Sequence, residues 1–178
     1  MKNLTPLLRS AIIDGNRESI LVAKSIASGI YLHVYAPTED IYENRTSGTN
    51  DIVAGTVVIK PGKFSSSIYN RCKSYNSAWK LKSDDSPCFL HGQVTTYLIA
   101  DLSAYNSSYA GRVEESLAPI RDSIFKDCIK YEGSKSEYRK LVDTSDLLLK
   151  IKKFKNIVAE MIDHDMSLEL NRNLFLQF

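Results

Sequence analysis

Residues 29–36, Gly-Ile-Tyr-Leu-His-Val-Tyr-Ala, alternate between two kinds of side chain. Successive side chains of a β-strand point to opposite faces of its sheet. One face of this segment would therefore carry aliphatic residues, and the other would carry Tyr31, His33 and Tyr35. This pattern predicts a half-buried strand, with Tyr31, His33 and Tyr35 either facing solvent or covering the sheet.

Two further segments are rich in residues that favour strands. Ile52–Lys60 is followed by the turn signal Pro61-Gly62, which would end it. We expect this strand to pair antiparallel with the first one across a polar loop over Pro37–Asn50. The apolar runs Cys88–Leu90 and Gln93–Leu102 suit a central strand of the same sheet.

The start of the chain predicts two short helices. Thr5 can cap a helix with Pro6 at its first position, and Gly15 is suited to end it. Asn16 can cap a second helix that Gly29 would close. A strand over Ile20–Ala27 is the alternative, because β-branched residues are frequent there.

The segment Lys63–Ser83 has the spacing of an amphipathic helix. Its large apolar residues recur every three or four positions and are Phe64, Ile68, Cys72, Tyr75 and Trp79. The favoured interpretation is that these side chains form a buried stripe while the lysines between them face solvent. The alternative is that the aromatic rings stack on bases beside a basic surface.

The second half of the chain is predicted to be mainly helical. Helical spacing runs over Val113–Tyr131, and Pro119 would either kink that helix or lie in its first turn. A capping box at Ser134–Glu137 and a long amphipathic helix over roughly Ser145–Asp163 follow. The tail, Met166–Phe178, alternates again and predicts a terminal strand.

These elements predict an α+β fold with a small antiparallel or mixed sheet, packed helices, and a long C-terminal amphipathic helix followed by a terminal strand. The length of 178 residues is that of one domain spanning 1–178. Residues 134–178 form a candidate extension of that domain for use in assembly.

Composition narrows the class of protein. The formal net charge of +2 is too near neutral for a histone-like protein or an acidic solvating tail. No apolar run approaches the roughly eighteen residues of a membrane span. The first residues, Met1–Pro6, lack the apolar run of a secretory signal. Cys72, Cys88 and Cys128 are an odd number of cysteines at wide spacing, which indicates free thiols in a reducing compartment. We therefore expect a cytoplasmic protein, in the host cytoplasm or the virion if its source is viral.

No motif for catalysis, a metal or a cofactor emerges. Phosphate-loop patterns and the Gly-x-Ser-x-Gly elbow are missing from the sequence. Cys88 and His91 could join Cys72 and Cys128 around zinc, but no second close pair supports such a site. We expect no catalytic residue, no metal and no cofactor, and leave open an enzyme with an unrecognised site around His91-Gly92.

His91-Gly92 resembles the dinucleotide grip of some ADP-ribosyltransferases, in which a His-Gly pair ends a strand. The resemblance implies that Glu114 or Glu115 would serve as the acid. Gln93 stands where that family usually has a hydroxyl residue, and the resemblance covers two of 178 residues. It does not assign the chain to the family.

Two segments are strongly basic. The first is Lys60–Lys82, and no acidic residue occurs between Asp51 and Asp84. The second is Lys150–Lys155, and no acidic residue occurs between Asp146 and Glu160. Basic residues with interleaved aromatics bind phosphate backbones and unpaired bases. The candidate residues for nucleic acid or another anion are Lys63, Arg71, Lys73, Lys80, Lys82, Lys150, Lys152, Lys153 and Lys155.

The apolar end of the chain needs a partner or a place in the sheet, because exposed apolar strands aggregate. The candidate partner-binding residues are Leu174, Phe175, Leu176 and Phe178. The primary prediction is a non-enzymatic structural or assembly subunit in a homo- or hetero-oligomer with other protein chains. Loops rich in Ser, Thr, Asn and Tyr are similar in composition to those of small virion or phage tail and connector proteins. A nucleic-acid-binding protein is the alternative.

Overall fold

The structure, a computed structural model, describes residues 2–45, 48–126, 128–130 and 138–175. Within these ranges the chain forms an α+β fold, as predicted, with helices packed on antiparallel sheets. The six helices are α1 Thr5–Ile13, α2 Arg17–Ser25, α3 Ile68–Ala78, α4 Tyr109–Glu115, α5 Leu117–Ile124 and α6 Leu147–Phe175.

The main sheet has six strands in the order β1-β7-β2-β5-β9-β8, and every neighbouring pair is antiparallel. Its strands are β1 Lys2–Asn3, β2 Gly29–Tyr35, β5 Val58–Phe64, β7 Val94–Asp101, β8 Cys128–Lys130 and β9 Arg139–Leu141. A second sheet, in the order β4-β3-β6, consists of β3 Ile41–Arg45, β4 Gly48–Ile52 and β6 Trp79–Leu81.

Helices cover the main sheet on both sides. Tyr31 and Tyr35 of β2 pack into one core with α1, α2, α3 and the small sheet. Ile30, Leu32 and Val34 pack into a second core with α4, α5 and α6. The predicted strand is therefore confirmed, but it is buried on both faces rather than half-buried.

Pro61-Gly62 lies inside β5 and does not end the strand as predicted. Among the described residues β9 pairs with β5 only at Val58 and Ile59, so no described strand lies beside Pro61 on the outer edge of β5. The missing N–H of Pro61 therefore costs no ladder bond to a described residue on that edge. Two residues further on, the Lys63 N–H donates to Glu114 Oε1 at 3.2 Å, which caps the same edge.

The predicted polar loop over Pro37–Asn50 contains β3 and the start of β4 instead. Ile41 and Ile52 pair across these strands, and both are buried in the first core. Ile41 and Ile52 are the two aliphatic residues of this pair of strands. Two such residues are too few to produce the alternating pattern by which a strand is recognised in a sequence.

The N-terminal helices are confirmed. Asn16 caps α2, with its side chain accepting the Ser19 N–H, so the strand alternative for this segment is wrong. Thr5 is the first residue of α1 rather than its cap, and its hydroxyl accepts the Thr96 N–H at 2.7 Å. The helix start is therefore bonded directly to the edge of β7.

All five apolar residues of the predicted stripe are buried, but only Ile68, Cys72 and Tyr75 lie on α3, and Phe64 belongs to β5. The helix is shorter than predicted: Ser67 caps it, and Trp79 already belongs to β6. Pro119 lies in the first turn of α5, which is the second of the two predicted placements.

Three predictions in the last part of the chain require comment. Cys128–Lys130 is strand β8, not the end of a helix, and it pairs with β9. The predicted terminal strand is wrong as far as Phe175, because α6 continues to that residue without a Gly or Pro to stop it. The capping box at Ser134–Glu137 lies outside the described residues.

Candidate functional site

A row of polar side chains crosses the middle of the main sheet beneath α3. His33 of β2 pairs directly with Thr96 of β7 on one side and with Lys60 of β5 on the other. Directly opposed side chains on neighbouring strands are about 5 Å apart at Cβ. His33 and Thr96 have no exposed surface, and Lys60 is 8% exposed.

His33 is held as a neutral imidazole. Its Nδ1 lies 3.0 Å from Thr96 Oγ1, and its buried Nε2 has no hydrogen-bond partner among the described residues. Burial lowers the pKa of His33 well below its usual value, and the charges of Lys60 and Arg71 lower it further.

Lys60 has an unusual environment for a buried cation. Its Nζ donates to Tyr75 Oη and lies 4.8 Å and 5.1 Å from the ring centroids of Tyr75 and Tyr138. No carboxylate among the described residues forms an ion pair with it. Ring faces offer a cation a partial replacement for water, but they bring no opposite charge.

α3 supplies three more members of the cluster. They are Arg71, Cys72 and Tyr75, which lie within about one turn of one another. Cys72 and Tyr75 are buried in the core. Burial raises the pKa of the Cys72 thiol to about 12, so this cysteine is an unreactive core residue rather than a nucleophile. Tyr31 Oη donates to Tyr75 Oη at 3.3 Å and links the sheet to the helix.

The Arg71 guanidinium lies over two tyrosine rings, 5.6 Å from the centroid of Tyr31 and 5.3 Å from that of Tyr75. Its Nε is buried and has no hydrogen-bond partner among the described residues. A guanidinium stacked in this way keeps its planar edge available for a ligand.

A cleft of about 250 Å³ opens between α3 and β3 at the outer end of this cluster. Its lining residues are Glu43, Arg71, Ser74, Tyr75 and Ala78. Glu43 comes from β3 and is only 2% exposed, and its Oε2 accepts a hydrogen bond from Asn50 at 2.9 Å. The cleft therefore places a guanidinium, a phenol and a carboxylate around one small space.

The structure does not combine the predicted basic residues into one surface. Arg71 and Lys73 are on α3, on the side of the main sheet that carries the first core, and Lys80 and Lys82 are at the small sheet on that side. Lys150, Lys152, Lys153 and Lys155 are on α6, which covers the opposite side. The two basic segments thus face away from each other.

Three of the predicted lysines are ion-paired. Lys63 contacts Glu114 at 3.3 Å, Lys82 contacts Asp51 at 2.8 Å, and Lys150 contacts Asp143 at 3.2 Å. Such pairs reduce the charge available to a nucleic acid. Lys73, Lys152 and Lys153 are exposed and form no ion pair with the described residues.

The predicted partner-binding residues lie at or beyond the end of α6. Leu174 and Phe175 belong to the last turn of that helix. Leu176 and Phe178 lie outside the described residues. Their role in binding a partner stays a prediction.

The residues of the ADP-ribosyltransferase resemblance do not meet. His91-Gly92 is an exposed turn just before β7, held near α1 by the bond from Arg9 Nη2 to the Leu90 carbonyl oxygen. Glu114 contacts Lys63, which lies near the far end of β7. The length of β7 puts about 25 Å between the two positions.

Within the described ranges, no group of three or more His, Cys, Asp or Glu side chains is placed to hold a metal ion. In the same ranges no helix is both long and apolar enough to cross a membrane. Comparison of the chain with protein-family models, with curated proteins and with solved structures finds no match.

Sequence reasoning did not single out the cluster around the cleft. Glu43 sits in a segment predicted to be a loop, and Lys60 counted only as part of a basic run. The alternation at 29–36 placed His33 between two tyrosines, which was the one available signal. The helix that covers this face is distant in the sequence.

Proposed function

We propose that this protein is a non-enzymatic assembly subunit that binds another protein chain at the outer edge of its main sheet. The observation that supports this is a group of exposed apolar side chains around β8, β9 and the start of α6. The exposed fractions of these side chains are 52% for Ile129, 65% for Val142, 63% for Leu148 and 51% for Leu149. They are four of the nine large apolar side chains that are exposed in the described part of the chain.

These four residues belong to one region. Ile129 pairs with Lys140, so Val142 is its diagonal neighbour on the same face of the β8–β9 pair. Asp143 follows directly and binds Lys150, which joins the end of β9 to the first turn of α6 beside Leu148 and Leu149. Grouped apolar exposure of this kind is typical of a protein contact, whereas scattered exposed residues are ordinary.

The two edges of the main sheet differ. On the β7 edge, β1 pairs with Tyr97 and Leu98, and the Leu4 N–H and Thr5 hydroxyl bond the backbone of Thr96. The opposite edge is β8, which has only β9 beside it among the described residues. An edge strand with apolar neighbours offers a second chain both backbone and side-chain contacts.

The test is the native mass of the protein by light scattering. We expect an oligomer, or a complex with a co-purifying chain, that dissociates in the variant Val142→Lys. Leu21→Lys is the matched control, because Leu21 is 58% exposed but lies on α2. A monomeric wild-type chain without a co-purifying partner, or equal loss of assembly in both variants, would contradict the proposal.

The apolar tail belongs to the same proposal. We expect removal of Leu174–Phe178 to weaken assembly as well, since these residues were predicted to bind a partner. A stable complex that is unchanged by both the truncation and Val142→Lys would show that assembly uses another surface. A place in a virion or phage particle stays a prediction from composition.

Nucleic-acid binding is the second candidate, and the exposed face of α6 favours it. Lys152 and Lys153 are exposed there without ion pairs to described residues. Lys155 is half-buried on the same helix. Because α3 lies on the other side of the sheet, a strand of nucleic acid bound along α6 would not contact the basic residues of α3 as well.

Its test is the affinity for a single-stranded oligonucleotide at several salt concentrations, with absorbance at 260 nm recorded during purification. Binding through α6 would weaken steeply with salt and would be lost in Lys152→Glu/Lys153→Glu. Lys73→Glu/Lys80→Glu provides the same change in charge on the other side of the sheet. Unchanged affinity in the α6 variant would exclude this candidate.

A further inference from the structure

Two cations and one carboxylate lie in or beside the cleft between α3 and β3: Arg71 and Glu43 line it, and Lys60 contacts its lining residue Tyr75. Lys60 is 8% exposed, and it contacts the Tyr75 hydroxyl and the rings of Tyr75 and Tyr138. Arg71 is half-buried over two tyrosines and forms no ion pair with a described carboxylate. A buried cation without an opposite charge is costly, and Lys60 is one within the described part of the chain, so the cluster that it forms with the half-buried Arg71 is suited to receive an anion.

Two buried nitrogen atoms at or near the cleft have no hydrogen-bond partner among the described residues. Arg71 Nε is a donor, and His33 Nε2 is a donor or an acceptor according to the tautomer of the ring. Native proteins satisfy nearly all buried polar atoms, and an exception at the wall of a cleft is a common sign of a missing ligand or water. Arg71 is also preorganised, because the rings of Tyr31 and Tyr75 hold its guanidinium plane.

One carboxylate lines this space and restricts what can bind. Glu43 lines the cleft and accepts from Asn50. Glu114 does not line the cleft and is ion-paired with Lys63. Glu43 therefore suits a hydrogen-bond donor on the ligand, whereas Arg71 and Tyr75 suit an acceptor.

We propose that this cleft binds a small organic anion, a phosphate or carboxylate that also carries a hydroxyl or amino group. The anionic group would lie on the edge of the Arg71 guanidinium beside Tyr75, whose hydroxyl is polarised by Lys60. The hydroxyl or amino group would donate to Glu43. A volume of about 250 Å³ is at the lower limit for ligand sites, which favours a molecule of a few carbon atoms over a dinucleotide.

This proposal is independent of the assembly function. Its test is titration calorimetry and thermal unfolding of the full chain with three probes: inorganic phosphate, serine phosphate and malate. Sodium chloride at matched ionic strength is the reference. We expect at least one probe to bind and to raise the unfolding temperature above that reference.

The variant Arg71→Met keeps an unbranched apolar stem and removes the charge and the hydrogen-bond donors, and we expect at least about tenfold weaker binding. Lys73→Met is the matched control, because it removes the same charge from an exposed position on the same helix. If Arg71→Met does not fold, the Arg71 Nε–H resonance of the wild-type chain is followed during the titration, and binding at the cleft should shift it.

Phosphate and carboxylate binding are distinguished by which probe binds, and either supports the proposal. No effect of any probe beyond sodium chloride would overturn it. Equal weakening in Arg71→Met and Lys73→Met would also overturn it, since that result indicates unspecific attraction. Binding of an oligonucleotide through Arg71 without binding of the small probes would assign the cleft to nucleic acid instead.

Discussion

His33 and Lys60 are direct cross-strand neighbours on the buried face of the main sheet. His33 has no exposed surface, and Lys60 has almost none. α3 covers both of them, and Tyr75 contacts the Lys60 ammonium and packs its ring 4.7 Å from that of His33. A titratable ring is thereby enclosed beside a lysine side chain, which links the stability of the fold to pH.

The first prediction concerns that dependence on pH. Burial, Lys60 and Arg71 hold the pKa of His33 well below 6.5 in the folded chain, whereas the unfolded chain keeps the ordinary value. Below pH 6.5 the unfolded state therefore binds the extra proton, and the free energy of unfolding falls as pH decreases. For this one group the slope approaches about 1.4 kcal/mol per pH unit. Urea unfolding between pH 7.5 and 5.0 measures it.

The control for this prediction is the effect of substituting each histidine on the slope of the unfolding free energy against pH. His33→Gln should flatten the decline between pH 6.5 and 5.0, whatever its effect on stability at pH 7.5. His91→Gln, at an exposed turn, should leave the slope as it is. A wild-type slope that His33→Gln does not change would contradict the assignment.

The second prediction concerns Lys60. Lys60→Met retains most of the buried stem and removes a cation that has no carboxylate partner among the described residues. Replacing buried charge by an apolar residue of similar size is often neutral or stabilising, so we expect a change within about 1 kcal/mol or a gain. The pKa of His33, followed by NMR, should rise because one of the charges that lower it is gone. A loss of several kcal/mol would show that the lysine–tyrosine contact is essential to the fold.

The third prediction concerns the thiols. Burial raises the pKa of Cys72 and of Cys88 to about 12, and both side chains are fully buried. Cys128 is partly exposed, although burial raises its pKa as well. We expect an aromatic disulfide reagent at pH 8 to modify one thiol of the native chain and all three in urea. Cys128→Ser should abolish the native reaction, and rapid modification of Cys72 would contradict the structure.

The fourth prediction compares two glycines. A Cβ on Gly29 would lie 2.2 Å from the Ala100 carbonyl oxygen and 2.9 Å from the Phe64 ring, so Gly29→Ala should destabilise the chain by about 1–3 kcal/mol or more. Gly111 lies inside α4, and the nearest atom to its Cβ is the mobile end of Lys63 at 3.2 Å. Gly111→Ala should therefore stabilise by up to about 1 kcal/mol. Urea unfolding of both variants tests the contrast, and equal effects would contradict it.

Much of the secondary structure could be predicted because it depends on local pattern. The alternation at 29–36, the stripe on α3 and the cap at Asn16 each involve residues within a few positions of one another. Predictions were wrong where a distant element decided the outcome. Pro61 lies inside a strand at a position where no described residue of β9 pairs with it. Residues 41–52 form a hairpin because β6 and the core accept Ile41 and Ile52.

The candidate site was less predictable than the fold. The sequence identified Arg71 as an anion-binding candidate and His33 as part of a tyrosine-flanked face, but it did not connect them. Lys60, Glu43 and Arg71 come from two strands and a helix, in segments separated by up to 28 positions. Nothing in the local pattern at any of them reports the other two.

Local sequence pattern is enough to assign the side chains that share a face of each element, because the periods of helix and strand are properties of the local backbone. Which faces are covered, and by which elements, depends on the tertiary packing. It buried both sides of β2, placed α3 and α6 on opposite sides of the main sheet, and enclosed Lys60 without a carboxylate partner among the described residues. Those outcomes depend on contacts between segments far apart in the chain, whose free energy no local pattern records.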